Sequence, residues 1–271
     1  MDFLTEIMAR KRERLAEARA LCAVEALRAK ALEVRACARS HALLAALKDG
    51  SRLHVIAEVK RASPSRGVIN ADINPAAVAR AYEAGGACAI SVLTEEDRFR
   101  GSLEDLRSVR AAVGLPVLRK DFIFDGYQLY EAAQAGADAL LLIVAALDDE
   151  RLEHLRRITE DELGMDALVE VHTREELQRA TASGATLIGV NNRNLHTFEV
   201  SMEVSVELAN FAPAAATMVS ESGLRTKDDL QNLRALGYSG FLIGETLMRA
   251  TEPEQALREL LYEEKRSEVR G

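Results

Sequence analysis

Cysteine is scarce in this chain: Cys22, Cys37 and Cys88 form no CxxC pair and no even framework, so neither a disulfide scaffold nor a cysteine metal site is expected. A reduced, cytoplasmic setting is the simplest expectation. The five histidines (His41, His54, His154, His172 and His196) are scattered without ligand spacing, and no metal is expected. Long apolar runs are missing as well. The longest, around residues 139–146, has the length of a strand and falls far short of a membrane span. The N-terminus lacks the apolar centre of a secretory signal. Its arginines are matched by Asp2, Glu6 and Glu13, and serine is rare there, which argues against a transit peptide. Positive charge is in deficit, with 35 Lys and Arg against 43 Asp and Glu and a formal net charge of −8. That balance argues against a general nucleic-acid binder and leaves room only for a local anion site.

What is present is ample core material: 48% hydrophobic and 29% charged residues in a chain of 271, enough for one large barrel or two ordinary domains. Residues 2–48 read as two or three amphipathic helices. Phe3, Leu4, Ile7 and Met8 lie at helical spacing, with Lys11, Arg12 and Arg14 on a wetter side. Lys48-Asp49-Gly50 ends the segment with a helix-stop signal. From residue 53 one pattern repeats: a short apolar run, a loop, a capped helical segment and a Gly-Ala or similar turn, with eight such runs. The runs are 53–59, 87–93, 116–119, 137–144, 167–171, 186–190, 217–220 and 240–243. Helix starts are marked by Asn74-Pro75 and by Ser102…Asp105, Thr173…Glu176, Thr226…Asp229 and Thr251…Glu254 at capping-box spacing.

Alternating strands and helices imply parallel strands with right-handed crossovers, and eight units close most simply into an α/β (β/α)8 TIM barrel. An open doubly wound sheet competes, but the Gly-rich nucleotide fingerprint is missing after the first strand. The expectation is one domain over 1–271, with an N-terminal helical extension (1–48) and eight βα units (53–264).

In such a barrel, chemistry sits at the C-terminal ends of the strands. The first run delivers Glu58 and Lys60, two positions apart and so on one side of a strand, followed by the polar turn Ser63-Pro64-Ser65. The other ends supply Lys120, Glu170, Asn191 and Glu221. For any one of these, a structural ion pair is the default reading. For the whole set, catalysis is the better one, because charge inside apolar runs is costly unless paired or useful. Gly223 and Gly244-Glu245 stand where barrels often bind phosphate through backbone N–H groups, with Arg193 and Ser63 as further donors; turn-making is the competing role for these glycines. The Glu245 side chain is expected to face away from an anion there.

Six segments go further: Ala57-Glu58-Val59-Lys60-Arg61-Ala62-Ser63-Pro64-Ser65, Leu118-Arg119-Lys120-Asp121-Phe122, Leu168-Val169-Glu170-Val171-His172, Gly189-Val190-Asn191-Asn192-Arg193-Asn194-Leu195, Ser220-Glu221-Ser222-Gly223 and Phe241-Leu242-Ile243-Gly244-Glu245. In order and along the whole chain, they resemble the signature segments of the indole-3-glycerol phosphate synthases of tryptophan biosynthesis. The resemblance implies a carboxy-lyase that closes the indole ring of 1-(2-carboxyphenylamino)-1-deoxyribulose 5-phosphate, with loss of carbon dioxide and water and without a cofactor or metal. It implies Lys120 as general acid for ring closure, a task that asks for burial or nearby cations to bring its pKa toward neutrality, and Glu170 as general base for dehydration. Lys60 would bind the substrate carboxylate and serve as an acid in dehydration, and Glu58 would hold a lysine. Asn191 and Glu221 would contact hydroxyls or position the lysines. Phe122, Leu142, Leu195 and Leu242 would line the slot for the anthranilate ring, although barrel core is the competing role for Leu142 and Leu242. Ser63, Arg193, Ser222, Gly223, Gly244 and Glu245 would surround the phosphate. The expected partner is a small phosphosugar, with no nucleic acid and no membrane. A monomer and an association with other enzymes of tryptophan biosynthesis both stay open. Another phosphosugar enzyme on the same scaffold, an isomerase or a Schiff-base aldolase, is the first alternative. A metabolite-sensing barrel is the second, disfavoured by the complete acid–base set.

Overall fold

The computed structural model describes residues 3–48, 52–65 and 67–262. The stop signal at Asp49-Gly50 lies outside the described residues, as does Arg66. Three helices come first, α1 (Phe3–Leu21), α2 (Val24–Ala36) and α3 (Ala42–Leu47). Eight strands follow: β1 (Val55–Val59), β4 (Ala89–Leu93), β5 (Val117–Lys120), β6 (Ala139–Ile143), β7 (Asp166–Val171), β8 (Leu187–Asn191), β9 (Thr217–Glu221) and β10 (Tyr238–Ile243). They pair in parallel and close in the order β1-β10-β9-β8-β7-β6-β5-β4, a (β/α)8 barrel. The expected runs match these strands with ends shifted by no more than two residues. Strands β4 and β6 are buried at every position, as expected for parallel strands covered on both faces.

Helices α4 (Pro75–Gly85), α5 (Leu103–Ala112), α6 (Gly126–Gln134), α7 (Asp149–Arg157), α8 (Arg174–Ala182), α9 (Glu203–Ala209) and α10 (Lys227–Ala235) connect the strands, and α11 (Glu245–Met248) and α12 (Pro253–Leu261) follow β10. Asn74, Ser102, Thr173 and Thr226 cap their helices as the spacing predicts. Thr251 does not. Pro253 fixes the first turn of α12, so Glu252 occupies the cap position and makes no side-chain cap. Gly86 leaves α4 with φ 99°, a left-handed turn that a side chain would strain.

Two features depart from expectation. The first βα loop contains a small antiparallel hairpin, β2 (Ala62–Ser63) with β3 (Gly67–Val68), where the sequence reads as a turn. The N-terminal helices also grip both ends of the barrel. Lys11 of α1, expected on the wet side, is buried: its ammonium lies 2.8 Å from Asp121 Oδ2 and 2.9 Å from Glu96 Oε2, at the C-terminal mouth. At the opposite end the backbone N–H groups of Leu43 and Leu44 in α3 donate to Asp166, at the start of β7. Arg35 of α2 donates to Asp138, just before β6, and to the carbonyls of Ala137, Leu163, Arg39 and Gly164.

Candidate active site

The strand ends enclose a cavity of about 1090 Å³ at the C-terminal mouth. Its floor is built by strand alternation. Glu58 on β1, Lys120 on β5, Glu170 on β7, Asn191 on β8 and Glu221 on β9 all project inward, with Lys60 immediately after β1. The three glutamates are no more than 3% exposed. Lys120 lies at their centre. Its Nζ donates to Glu221 Oε2 in a close ion pair and stands 3.5 Å from Glu170 Oε2. Lys60 Nζ sits 2.5 Å from Glu58 Oε1. Three carboxylates thus face two ammonium groups.

This surplus of negative charge sets the protonation pattern. Burial opposes the charge on Lys120, but Glu221, Glu170 and Glu58 outweigh it and raise its pKa above that of free lysine. That reverses the expectation of a lysine shifted toward neutrality. Glu221 takes the opposite strain: burial pushes its carboxyl up to about 7, with Glu170 and Glu58 adding to the rise and Lys120 only partly opposing it. Its Oε1 is buried and has no hydrogen-bond partner among the described residues. Two glycines make room for this crowding. A methyl group on Gly189 would collide with the Glu221 carboxylate, and one on Gly244 with Glu58 and Lys60.

Asp121, next to Lys120, is saturated. It accepts from Lys11, from Arg119 at 3.0 Å, from Thr94 Oγ1 at 2.6 Å and from the Phe122 N–H at 2.8 Å. Burial alone would raise its pKa, but Lys11 and Arg119 hold the carboxyl far below the usual carboxylate range. Helix α1 is therefore tied to the residue that borders the central lysine.

Apolar residues form part of the cavity lining. Phe122, Leu195 and Leu242 line it, joined by Phe3, Leu93, Phe99, Leu141, Ile143 and Phe198. Phe3 of α1 meets Phe198 edge-on at a centroid distance of 5.0 Å and Phe122 at 6.2 Å, so the extension supplies part of the wall. Leu142 is not in this wall. It is fully buried and one residue out of phase: Leu141 and Ile143 face the cavity, so Leu142 points to the other side of β6. Ile143 pairs in register with Glu170, and counting by twos from an inward residue would have found it. No comparable periodic signal in the sequence marks Phe3 or Phe198.

The polar side contains Ser63, Arg193, Ser222, Gly223, Gly244 and Glu245, together with Ser65, Arg225, Thr246 and Arg249. Ser63 Oγ is buried and makes no hydrogen bond among the described residues. Arg193 donates to Ser65 Oγ at 3.1 Å and to the Phe198 carbonyl at 3.0 Å. Glu245 does not face away. Its carboxylate lies 3.4 Å from Arg249 and 3.8 Å from Arg193, among the cations that an anion would seek. Among the described residues no cluster of His, Cys, Asp and Glu has metal-site geometry, and no helix is long and apolar enough to cross a membrane.

Sequence and structure comparisons bear on the family and on the fold. A relative from Carboxydothermus hydrogenoformans named indole-3-glycerol phosphate synthase is 54% identical over 211 residues, 78% of this chain and 80% of its own. Solved structures with the same fold include KGPDC from Streptococcus mutans (TM-score 0.58, 14% identity, covering 77% of this chain and 95% of that one). A thiamine phosphate pyrophosphorylase from Pyrococcus furiosus is similar at TM-score 0.57 and 18% identity, covering 79% and 95%. At that identity the likeness concerns the barrel alone. The family model for indole-3-glycerol phosphate synthase matches residues 4–260, and with a close relative of that name and a barrel that brings the signature segments to one mouth, the chain belongs to the indole-3-glycerol phosphate synthase family.

Proposed function

We propose that this cavity converts 1-(2-carboxyphenylamino)-1-deoxyribulose 5-phosphate into indole-3-glycerol phosphate, with Lys120 as the acid for ring closure and Glu170 as the base for dehydration. The ring carbon bearing the carboxylate attacks the ketone carbon of the sugar chain. The new C–C bond leaves negative charge on the carbonyl oxygen, and Lys120 protonates it. A raised pKa does not prevent this, because an alkoxide is more basic than an amine and draws the proton even from a strongly held ammonium. Carbon dioxide then departs, and its bonding electrons restore the aromatic ring. In the last step the hydroxyl leaves as water with a proton from Lys60, while Glu170 removes a proton from the carbon next to nitrogen and the double bond forms. Glu58 holds Lys60, Glu221 holds Lys120, and Asn191 meets a substrate hydroxyl.

The observation that carries this reading is the placement of Lys120 between Glu170 and Glu221, beside the Glu58–Lys60 pair. The same charge pattern speaks against a Schiff-base aldolase, which needs a neutral amine where these carboxylates favour the ammonium. The anthranilate ring fits the wall of Phe122, Leu195, Leu242, Leu141 and Ile143. The phosphate fits the polar part of the lining, with Ser63, Arg193, Ser222 and the backbone N–H groups of Gly223, Gly244 and Glu245 as donors. The test is direct. The chain has no tryptophan, so indole emission should rise free of a tryptophan background when purified protein meets this substrate without added metal. A chain that leaves the substrate unchanged, or that is trapped on it by borohydride, sinks the proposal.

A further inference from the structure

His172 follows β7 directly and has no part in the chemistry above. Its backbone N–H donates to Glu176 Oε2 at 2.7 Å, and its ring Nδ1 lies 3.1 Å from the same oxygen. Glu176 is itself fixed, since its own N–H donates to the cap hydroxyl of Thr173 at the start of α8. The other ring nitrogen, Nε2, is 3.4 Å from Glu170 Oε1 and makes no hydrogen bond among the described residues. The imidazole is 13% exposed. One face of the loop thus grips the ring and aims its remaining nitrogen at one oxygen of Glu170, whose other oxygen looks toward Lys120.

A neutral imidazole has a single N–H and can serve only one of two flanking carboxylates, whereas an imidazolium serves both. A capping role alone needs only the backbone N–H, which any residue except proline supplies. At 3.4 Å the ring nitrogen and the carboxylate interact as charges without a formed hydrogen bond.

We propose that His172 is a positioning residue for Glu170: gripped by Glu176, it fixes the Glu170 carboxylate in orientation and keeps it available as the base for dehydration. This rests on the reading of Glu170 as that base. The groups that face the ring are Glu170 from β7, Glu176 from α8 and, at longer range, Glu221 from β9, with Lys120 behind Glu170 and Arg179 behind Glu176. Burial lowers the His172 pKa, but the hydrogen bond to Glu176 and the charges of Glu170, Glu176 and Glu221 outweigh it and raise the value above that of free histidine.

Two measurements on the full chain test the role. In the first, the imidazole nitrogens of His172 are titrated by 15N NMR in the parent protein and in Glu170→Gln. Coupling predicts that the pKa falls in the variant, and an unchanged titration overturns it. In the second, kcat and KM are followed across pH in His172→Gln, which retains a donor and loses the charge. The expected result is a kcat on the order of tenfold lower, by analogy with partners that orient catalytic ligands, with KM little changed. The pH dependence that His172 imparts to kcat should disappear, because glutamine does not titrate. A parental kcat and pH profile overturn the proposal. Should His172→Gln fail to fold, Glu176→Gln keeps an acceptor for the backbone N–H and weakens the grip on the ring by removing its charge; kcat should again fall with KM little changed and its pH profile should shift, and a parental kcat and profile overturn the proposal. Full turnover in Glu170→Gln would remove the base itself, and the NMR result tells that failure apart from a lack of coupling.

Discussion

The two ends of the barrel both bury charge, and they do it differently. At the strand starts, Asp138 accepts from Arg35, Arg110 and the Val117 N–H, and Asp166 faces His41 and accepts from Leu43 and Leu44 N–H. Each carboxylate oxygen there has a partner. At the strand ends Glu58, Glu170 and Glu221 outnumber Lys60 and Lys120, and Glu221 Oε1 has no partner among the described residues. Burying an ion is tolerable when it is fully matched. The closed set at the bottom acts as a clasp for the N-terminal helices. The open set at the top leaves protons and lone pairs for something that enters.

Substitutions can break or sharpen that contrast. The largest effect belongs to the top: Lys120→Ala should lower kcat on the order of a hundred- to ten-thousand-fold. Cooperative unfolding should survive, because Glu221 neutralises itself by holding a proton; circular dichroism melts alongside turnover check both. At the bottom, Arg35→Met should cost about 3 kcal/mol in urea unfolding and leave kcat at the parental value. A large loss of activity there would erase the division of labour. Lys11→Met falls between the two. Asp121 keeps Arg119 but loses a charged donor, a loss of about 2 kcal/mol. Because Asp121 borders Lys120, kcat should fall as well, which a stopped assay on folded protein would register. A pH dependence of stability tests the open set itself. Glu221 has a carboxyl raised by burial to about 7, against about 4 in the unfolded chain. Its contribution to stability is therefore full below about pH 4 and is lost as pH rises through about 7. Glu221→Gln should flatten that decline in melting temperature between pH 5 and 8.

The barrel was legible because its signals are local and repeated. Short apolar runs recur in every unit, capping pairs and turn glycines in most of them, and each reports only on its neighbours. The inward residues at the strand ends were legible for the same reason. What the sequence concealed depends on contacts between distant segments. Lys11 reads as a surface lysine on an amphipathic helix until Asp121, 110 positions away, stands beside it. Phe3 and Phe198 reach the cavity from a helix and a loop that share no periodicity. The rise in the Lys120 pKa is a sum over three carboxylates on three strands, so inspecting its own segment suggests the wrong sign. Leu142 is a different kind of miss, a slip of one residue along a strand whose alternation was readable.

Gly189 and Gly244 leave empty the volume that Glu221 and Glu58 fill. Substitutions at the glutamates themselves change charge and position together. A single methyl group at Gly189 would leave every charge in the ring intact and shift only where one of them sits. The barrel wall therefore offers a wedge that separates how much of the rate depends on having a carboxylate from how much depends on its address. The same holds at Gly244 against Glu58 and Lys60: a variant at either wall position edits the geometry of a residue it does not replace.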